Sequence, residues 1–480
     1  MNLGKERWQN YVDGQWRDPA SRDWIPIEDP ATAERVFSAP RGQKEDIDEA
    51  VDAARRAIDS RALYEMAPHD RMLLLLRIAA ELRKMVDEIA PVITAENGKS
   101  ISLARDEVED AARYFEYYAG LTGKLHGRQI PLGEGFLDYT QLVPIGVIGV
   151  IIPWNFPLEL AGRDIAPALA CGNAVVVKSP ELCPVSLCFL AIACERAGLP
   201  KGYFNVVCGY GNEAGESLAS HSGIDQIVFT GSVETGRRIA ANAAKSLIPC
   251  VLELGGKGAG VVYADADLDA VAHSAGIGIF IYGGQVCSAG SRLIVHRSVE
   301  KALTEKLVAW VGKRTMGPGS EDHFFTPLIS RGQRDKAEKF CASAIEAGGN
   351  AVIGGRHPEK LKGYYLEPTI IADVAPDAPI AQKEVFGPVL TMLTFDSPEE
   401  ALHIANGTDY GLTAGVYTKD LKLAHWTADR LQAGSVYVNK WYAGGMEAPF
   451  GGFKKSGFGR VKSVDALSHY YQVRNVAIRL

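Results

Sequence analysis

The sequence is poor in cysteine and has no long apolar run. It has 8 cysteines among 480 residues, and no two of them form a CxxC pair. Cysteine this sparse excludes a disulfide scaffold. The closest spacing, across Cys183, Cys188 and Cys194, does not suit zinc, so we expect no metal site. The longest apolar run, Leu142 to Pro153, is about twelve residues, whereas a membrane span needs about 20. We therefore expect no membrane partner.

The chain also lacks an excess of charge of either sign. It has 51 Lys plus Arg and 58 Asp plus Glu, which gives a net charge of −7. A nucleic-acid binder should show a basic face, so we expect no nucleic-acid partner. The hydrophobic content of 47% excludes a disordered chain. The first eleven residues, MNLGKERWQNY, lack the apolar segment of a secretory signal. With the sparse cysteines, this predicts a cytoplasmic protein.

Helical and strand-like patterns divide the chain into regions. Residues 45–120 repeat apolar residues every three or four positions, which predicts three helices over 45–61, 70–100 and 104–125. The apolar runs AVVVK, FNVVC, QIVFT and CVLEL then alternate with helical segments, which predicts a parallel sheet built from βαβ units. A second α/β pattern begins near residue 260. The alternating tail HYYQVRNVAIRL predicts an end strand that pairs with another subunit.

Two glycine turns follow predicted strands. Gly209, Gly211 and Gly215 follow FNVVC, and a second turn in FTGSVETG follows QIVFT. Such turns let backbone N–H groups approach a phosphate, although packing glycines in a βα turn are an equal alternative. The second turn has P-loop spacing, but Arg237 and Arg238 stand where Lys and Ser or Thr are required. This argues against ATP binding.

Three residues are candidates for catalysis. Cys287 lies among small residues in GGQVCSAG, which leaves a nucleophilic thiol accessible; a buried inert cysteine is the alternative. Glu253 ends the apolar strand CVLEL, where desolvation would raise its pKa and suit a general base; an ion pair with Lys257 is the alternative. Asn155 in IIPWNFP could donate to an oxyanion from a rigid backbone, or bond to its own turn.

Seven motifs in one order resemble those of the NAD(P)-dependent aldehyde dehydrogenase superfamily, over essentially the whole chain. They are PWNFP (153–157), VVKSPE (176–181), FTGS (229–232), ELGGK (253–257), GGQVC (283–287), EVFGPV (384–389) and PFGGFKKSGFGR (449–460). The resemblance implies that Cys287 attacks an aldehyde carbonyl and that the Asn155 amide and the Cys287 N–H form the oxyanion hole. Hydride transfer would leave a thioester, which water activated by Glu253 would hydrolyse.

Other classes fit less well. A cofactor-independent thiol esterase would leave the cofactor motifs without a purpose. A CoA-acylating dehydrogenase usually lacks the base that Glu253 supplies. A non-catalytic protein with this fold would not need Asn155, Glu253 and Cys287 together.

The resemblance also implies a set of cofactor residues. Lys178 and Glu181 would hold the adenosine ribose, and Glu384 the nicotinamide ribose. The remaining implied contacts are Gly231 and Ser232 at the pyrophosphate, Gly211 nearby, Phe386 beside Glu384, and Trp154 and Leu254 in the cofactor wall. A carboxylate at Glu181 would repel a 2′-phosphate, so we expect NAD, with NADP possible.

The architecture implied by the resemblance is α/β with three parts. A Rossmann-like cofactor domain covers 1–125 and 145–255, and an α/β catalytic domain covers 256–465. A small β oligomerisation element covers 126–144 and 466–480. A homodimer or homotetramer follows.

The resemblance places Leu160, Arg163, Tyr442 and Phe450 at the substrate, a small-molecule aldehyde. Arg163 lies about two helical turns beyond Asn155 and could hold a substrate carboxylate, as in succinate-semialdehyde-type enzymes. An ion pair with a neighbouring acid is the alternative. The nearby aromatics suit an aromatic aldehyde equally well. A carboxylate-bearing or aromatic aldehyde is thus expected, and an NADP-preferring enzyme for aliphatic aldehydes is the alternative.

Overall fold

The computed structural model describes residues 6–480. The first five residues, which the resemblance assigns to the cofactor domain, lie outside the described residues. The helices near the amino terminus are Lys44–Ser60, Ala62–Glu65, Pro68–Lys84, Val86–Asn97 and Ile101–Ala119. The single helix expected over 70–100 is therefore two helices. They are separated at Met85. The periodicity of the sequence does not reveal this break, because the apolar spacing continues across it.

An eight-stranded sheet forms the first layered unit. Its strands lie side by side in the order Gln15–Arg17, Asn10–Val12, Phe204–Cys208, Ala174–Ser179, Val147–Ile151, Gln226–Thr230, Cys250–Glu253 and Gly457–Phe458. The five strands between residues 147 and 253 run parallel, as the alternating pattern predicts. The first of the five in the chain, Val147–Ile151, lies in the middle. The strand order therefore reverses there, which opens a crevice at the carboxyl ends of the strands.

The connections of this sheet are mainly helical. They are Pro157–Ala170, Val185–Ala197, a π-turn at Gly211–Gly215, Glu216–Ala219 and Val233–Lys245. The strands Val147–Ile151, Ala174–Ser179 and Phe204–Cys208 are buried along their whole length, as expected for strands that helices cover on both faces. PWNFP follows the central strand and FTGS follows its neighbour, so both motifs lie at the crevice.

A seven-stranded sheet forms the second unit. Its strands follow the order Asn350–Ile353, Thr369–Ala372, Val389–Phe395, Arg292–His296, Ala259–Val262, Thr413–Tyr417 and Ser435–Val438. The edge strand Asn350–Ile353 is antiparallel to its neighbour, and the other six strands run parallel to one another. The helices of this region are Leu268–Phe280, Glu300–Gly312, Arg331–Glu346, Pro379–Gln382, Pro398–Asn406 and Leu421–Arg430.

The carboxyl-terminal strand Tyr471–Arg479 pairs antiparallel with Phe136–Pro144, which also pairs with Gln129–Ile130. This small sheet leaves large apolar side chains exposed at Phe136 and Val473, among others. That it joins subunits stays a prediction. A hairpin of Trp24–Asp29 with Glu34–Pro40 and an antiparallel pair of Tyr410–Gly411 with Phe453–Lys454 complete these strands.

Buried apolar residues form one large cluster and three smaller ones. The large cluster runs from Trp8 to Leu254 and takes in Val461 to Tyr470, whereas the smaller clusters lie between Ala259 and Trp441. Within residues 6–480, no helix is long and apolar enough to cross a membrane. The same residues hold no group of three or more potential metal ligands.

Candidate active site

Two cavities meet at Cys287. One, of about 330 Å³, is called here the aromatic cavity, and its lining includes Phe156, Leu160, Arg163, Tyr437, Tyr442 and Phe450. The other, of about 170 Å³, is called the sheet-edge cavity, and its lining includes Trp154, Gly231, Ser232, Glu253, Leu254, Glu384 and Phe386. Asn155 and Cys287 line both cavities. The three candidate catalytic residues therefore lie together, although 34 or more residues separate each from the next in the chain.

Asn155 is fixed by the turn that links the central strand to helix Pro157–Ala170. Pro157 occupies the first helical position, where a missing N–H costs nothing. The Asn155 side chain is 5% exposed, and its Nδ2 donates to the carbonyl oxygen of Gln285 at 3.0 Å. The amide is thus directed at the loop that carries Cys287.

The Cys287 loop begins with three residues in the left-handed region. Tyr282, Gly283 and Gly284 have φ values of 50°, 59° and 68°. Gly256 packs so closely that a Cβ there would lie 2.6 Å from the carbonyl oxygen of Cys287, so only glycine fits. Burial, with the nearby Glu384 carboxylate, raises the pKa of the Cys287 thiol to about 12. The resting thiol is therefore protonated.

Glu253 ends its strand inside the crevice. Its side chain is 2% exposed, and neither carboxylate oxygen has a hydrogen-bond partner. Burial raises its pKa to about 8. Lys257, the alternative ion-pair partner, has a buried Nζ that makes no hydrogen bond, and burial lowers its pKa to about 7. An unpartnered carboxylate with this pKa suits a general base.

The amino terminus of helix Val233–Lys245 opens onto the sheet-edge cavity. Gly231 and Ser232 line the cavity, and Ser232 Oγ accepts the Thr235 N–H at 3.2 Å as the helix cap. The free N–H groups and the dipole of this helix end favour an anion.

Glu384 and two aromatic rings close the other side of the sheet-edge cavity. Glu384 Oε1 accepts the N–H of Gly256 at 2.9 Å, and burial raises the Glu384 pKa to about 7. The Phe386 ring meets the Trp154 ring edge to face, with centroids 5.3 Å apart.

Lys178 and Glu181 line neither cavity. The buried Lys178 Nζ pairs with Glu181 Oε2 at 2.7 Å, and the Glu181 side chain is 36% exposed. Gly211 and Gly215 line a third cavity of about 160 Å³. Lys178 Cδ lies 3.8 Å from where a Cβ on Gly215 would stand, which puts the pair beside this third cavity.

The structure brings all four predicted substrate residues to the aromatic cavity: Leu160, Arg163, Tyr442 and Phe450. The Arg163 guanidinium pairs with Asp164 at 2.8 and 3.0 Å and donates to Thr230 Oγ1 at 2.6 Å. Of the two roles considered for Arg163, the ion pair with a neighbouring acid is the one the structure contains.

Several residues that line the two cavities are not predicted by the sequence. Gln333 and Lys336 reach the sheet-edge cavity from one face of a distant helix, with the i, i+3 spacing as the only available signal. Asp110 and Lys462 line the aromatic cavity, as does Glu159. Burial raises the pKa of Asp110 to about 6, and the Glu159 carboxylate adds to this shift.

Residues 16–476 match the aldehyde dehydrogenase family. The chain is 41% identical over 478 residues to aminoaldehyde dehydrogenase 1, peroxisomal, of Pisum sativum. The aligned region covers 98% of this chain and 95% of the relative. The NAD+ complex of an aldehyde dehydrogenase from Bacillus cereus superposes with a TM-score of 0.96 at 36% identity, covering 99% of this chain and 97% of the other. An indole-3-acetaldehyde dehydrogenase in complex with NAD+ gives 0.97 at 36% identity, with the same coverage.

Proposed function

The chain belongs to the aldehyde dehydrogenase family, and we propose that it oxidises an aldehyde to the carboxylic acid at Cys287 with NAD. The observation that supports this best is the position of Cys287 and Asn155 on both cavities. A carbonyl carbon entering from the aromatic cavity would meet the thiol, while the sheet-edge cavity offers the opposite face to a cofactor.

The residues divide the reaction between them. The Cys287 thiol loses its proton to solvent as its sulfur bonds to the carbonyl carbon, and the oxyanion accepts hydrogen bonds from the Asn155 amide and the Cys287 N–H. When bound, NAD supplies the hydride acceptor. Loss of hydride leaves an acyl thioester on Cys287. Glu253 then takes a proton from water, whose oxygen attacks the thioester carbon. The carbon–sulfur bond then breaks, the acid leaves, and the Cys287 sulfur takes the proton from Glu253, which restores both the thiol and the carboxylate.

The sheet-edge cavity and the third cavity with its neighbouring Lys178–Glu181 pair offer the residues that would hold the cofactor. Gly231 and Ser232 would hold the pyrophosphate at the helix end, and Glu384 would bind the nicotinamide ribose. Lys178 and Glu181 would bind the adenosine ribose, where a carboxylate opposes a 2′-phosphate. Gly211 would lie nearby, and Trp154, Leu254 and Phe386 would form the wall. The NAD+ complexes of the two structural relatives support this assignment.

For the substrate, we propose an aromatic aldehyde. Phe156, Tyr437, Tyr442 and Phe450 line the cavity beside the thiol. A carboxylate-bearing substrate is disfavoured, because the Arg163 guanidinium is already paired with Asp164 and because Asp110 and Glu159 in the lining outnumber the remaining cation, Lys462. An aldehyde with an ammonium group is a second candidate, because Asp110 and Glu159 line the same cavity and the pea relative is an aminoaldehyde dehydrogenase.

The division into a cofactor domain (1–125 and 145–255), a catalytic domain (256–465) and a joining element (126–144 and 466–480) is also proposed. The two large sheets and their separate apolar clusters support it, except that strand Gly457–Phe458 and Val461, which fall within 256–465, belong to the first sheet and its cluster. The exposed apolar side chains of the small sheet support assembly into a homodimer or homotetramer.

The test is NADH formation, followed by absorbance, with phenylacetaldehyde, 4-aminobutanal, butanal and succinic semialdehyde, each with NAD and with NADP. Cys287→Ala should abolish turnover while NAD still binds. Cys250→Ala is the matched control, since Cys250 is partly buried and outside both cavities. Turnover that survives Cys287→Ala would defeat the proposal. Hydrolysis of esters without cofactor, combined with no NADH formation from any aldehyde, would also defeat it.

A further inference from the structure

A fully buried ion pair lies behind the Asn155 turn, outside both cavities. Lys99 and Glu107 are 0% and 1% exposed and contact one another through Nζ and Oε2. A buried ammonium and carboxylate are costly to desolvate and remain only where further bonds compensate them. Every compensating bond of this pair leads to the segments that carry Asn155 and Cys287.

The Lys99 ammonium joins the two segments. Its Nζ donates to the Asn155 carbonyl oxygen at 2.9 Å. The same Nζ lies 3.9 Å from the centroid of the Phe156 ring and 4.6 Å from that of Tyr282. These are favourable cation–π distances. Phe156 directly follows Asn155, and Tyr282 is the first of the three left-handed residues before Cys287. The Lys99 ammonium therefore contacts both the Asn155 turn and the Cys287 loop.

Glu107 holds the other end of the turn. Its Oε1 accepts the N–H of Leu158 at 2.8 Å, in the first turn of the helix that follows Asn155. The Asn97 amide, close to Lys99 in the chain, donates to the Trp154 carbonyl oxygen at 2.6 Å. Three backbone groups of the turn, the Trp154 and Asn155 carbonyl oxygens and the Leu158 N–H, are thus bonded to one segment, residues 97–107.

We propose that Lys99, paired with Glu107, is a positioning residue that sets the distance between the Asn155 amide and the Cys287 thiol. Lys99 lines neither the aromatic cavity nor the sheet-edge cavity. It acts through the Asn155 carbonyl and the Phe156 and Tyr282 rings. Oxyanion donors lose effect when displaced by a fraction of an ångström to an ångström. This inference rests on the proposed role of Asn155 in oxidation.

The test is the double variant Lys99→Met/Glu107→Gln. It keeps side-chain volume, leaves no unpaired buried charge, and retains an oxygen that can accept the Leu158 N–H. We expect kcat with phenylacetaldehyde and NAD to fall about 100-fold, while NAD affinity and the melting temperature change little. Lys84→Met/Glu81→Gln makes the same replacements at a surface pair 2.6 Å apart and should leave kcat unchanged.

The decisive measurement repeats the substitutions in an Asn155→Ala background. If the pair acts through Asn155, adding Lys99→Met/Glu107→Gln to Asn155→Ala should lower kcat by less than about twofold, because the group it positions is gone. A full additional 100-fold loss, or an unchanged kcat in the folded double variant, would overturn the proposal. If Asn155→Ala alone were fully active, the proposed oxyanion role would fail instead.

A second variant covers the case in which the double variant does not fold. Tyr282→Leu removes one ring from the ammonium without leaving a charge unpaired. It should lower kcat about tenfold in the parent and not in Asn155→Ala. An equal loss in both backgrounds would overturn the inference.

Discussion

Asn155 donates one N–H of its amide to the carbonyl oxygen of Gln285, two residues before the Cys287 thiol. A primary amide has two N–H donors, so this bond fixes the plane of the group and leaves the second donor for an oxyanion. The oxyanion donor, on the turn after the central strand, is therefore tied by one hydrogen bond to the loop that carries the nucleophile.

Removing the base should separate the two halves of the reaction. In Glu253→Gln, NADH should form in a rapid burst of about one equivalent per site and then slow at least about 100-fold, because the thioester forms but is not hydrolysed. Stopped-flow absorbance with phenylacetaldehyde measures both phases. Loss of the burst itself would show that Glu253 is needed before hydride transfer.

Hydrolysis should depend on pH through Glu253. Burial raises the pKa of this carboxyl to about 8, and only the ionised form accepts a proton. Below about pH 8 the rate of thioester hydrolysis should fall by about tenfold per pH unit. The slow phase of Glu253→Gln should be flat across this range. A parent profile that is flat from pH 6 to 8 would contradict the assignment.

Arg163→Met should lower the stability of the fold and should not change which aldehydes the enzyme prefers. The substitution leaves Asp164, which is 1% exposed, as an unpaired buried charge, and we expect a loss of about 3–5 kcal/mol in unfolding free energy by urea titration. Arg163→Met/Asp164→Asn should recover most of it. If instead turnover of succinic semialdehyde alone were lost, Arg163 would be a carboxylate ligand after all.

Asp110→Asn tests recognition of a cationic substrate. Asp110 lines the aromatic cavity near Glu159. If an ammonium is bound there, KM for 4-aminobutanal should rise about tenfold, because a hydrogen bond to a charged group contributes about 1.5–3 kcal/mol. KM for butanal, which has no ammonium, should not change. Equal effects on both aldehydes would remove this substrate class.

Glu181→Gln should relax the choice of cofactor. The Glu181 carboxylate is partly exposed beside Lys178, and its charge would oppose a 2′-phosphate. The neutral variant should raise kcat/KM for NADP about tenfold relative to NAD. The ratio is obtained from initial rates with both cofactors. An unchanged ratio would place the 2′-position away from Glu181.

The sequence predicted the parts of the site that are carried by local motifs. PWNFP, FTGS and ELGGK each follow a strand, so their meeting at the crevice follows from parallel strand order. The sequence does not identify the partner of Arg163, because the spacing of residues on one helix does not select among neighbouring acids.

The support behind the site was not predictable in the same way. Lys99 reaches Asn155 across 56 residues and Tyr282 across many more. The run Glu96–Lys99 looked like the end of a helix. The helix in fact ends at Asn97, where Gly98 turns the chain with φ of 85° and sends Lys99 inward. A charged residue just past a helix end gives no indication in the sequence of which distant turn it meets.

The burial of Cys287 also controls which reagents the resting protein can meet. Because burial raises the pKa of this thiol to about 12, only a very small fraction of the molecules carries the thiolate at pH 7. Peroxides and alkylating agents react with thiolates and not with thiols. We therefore expect iodoacetamide to modify the resting Cys287 thiol slowly at pH 7 and faster as the pH rises.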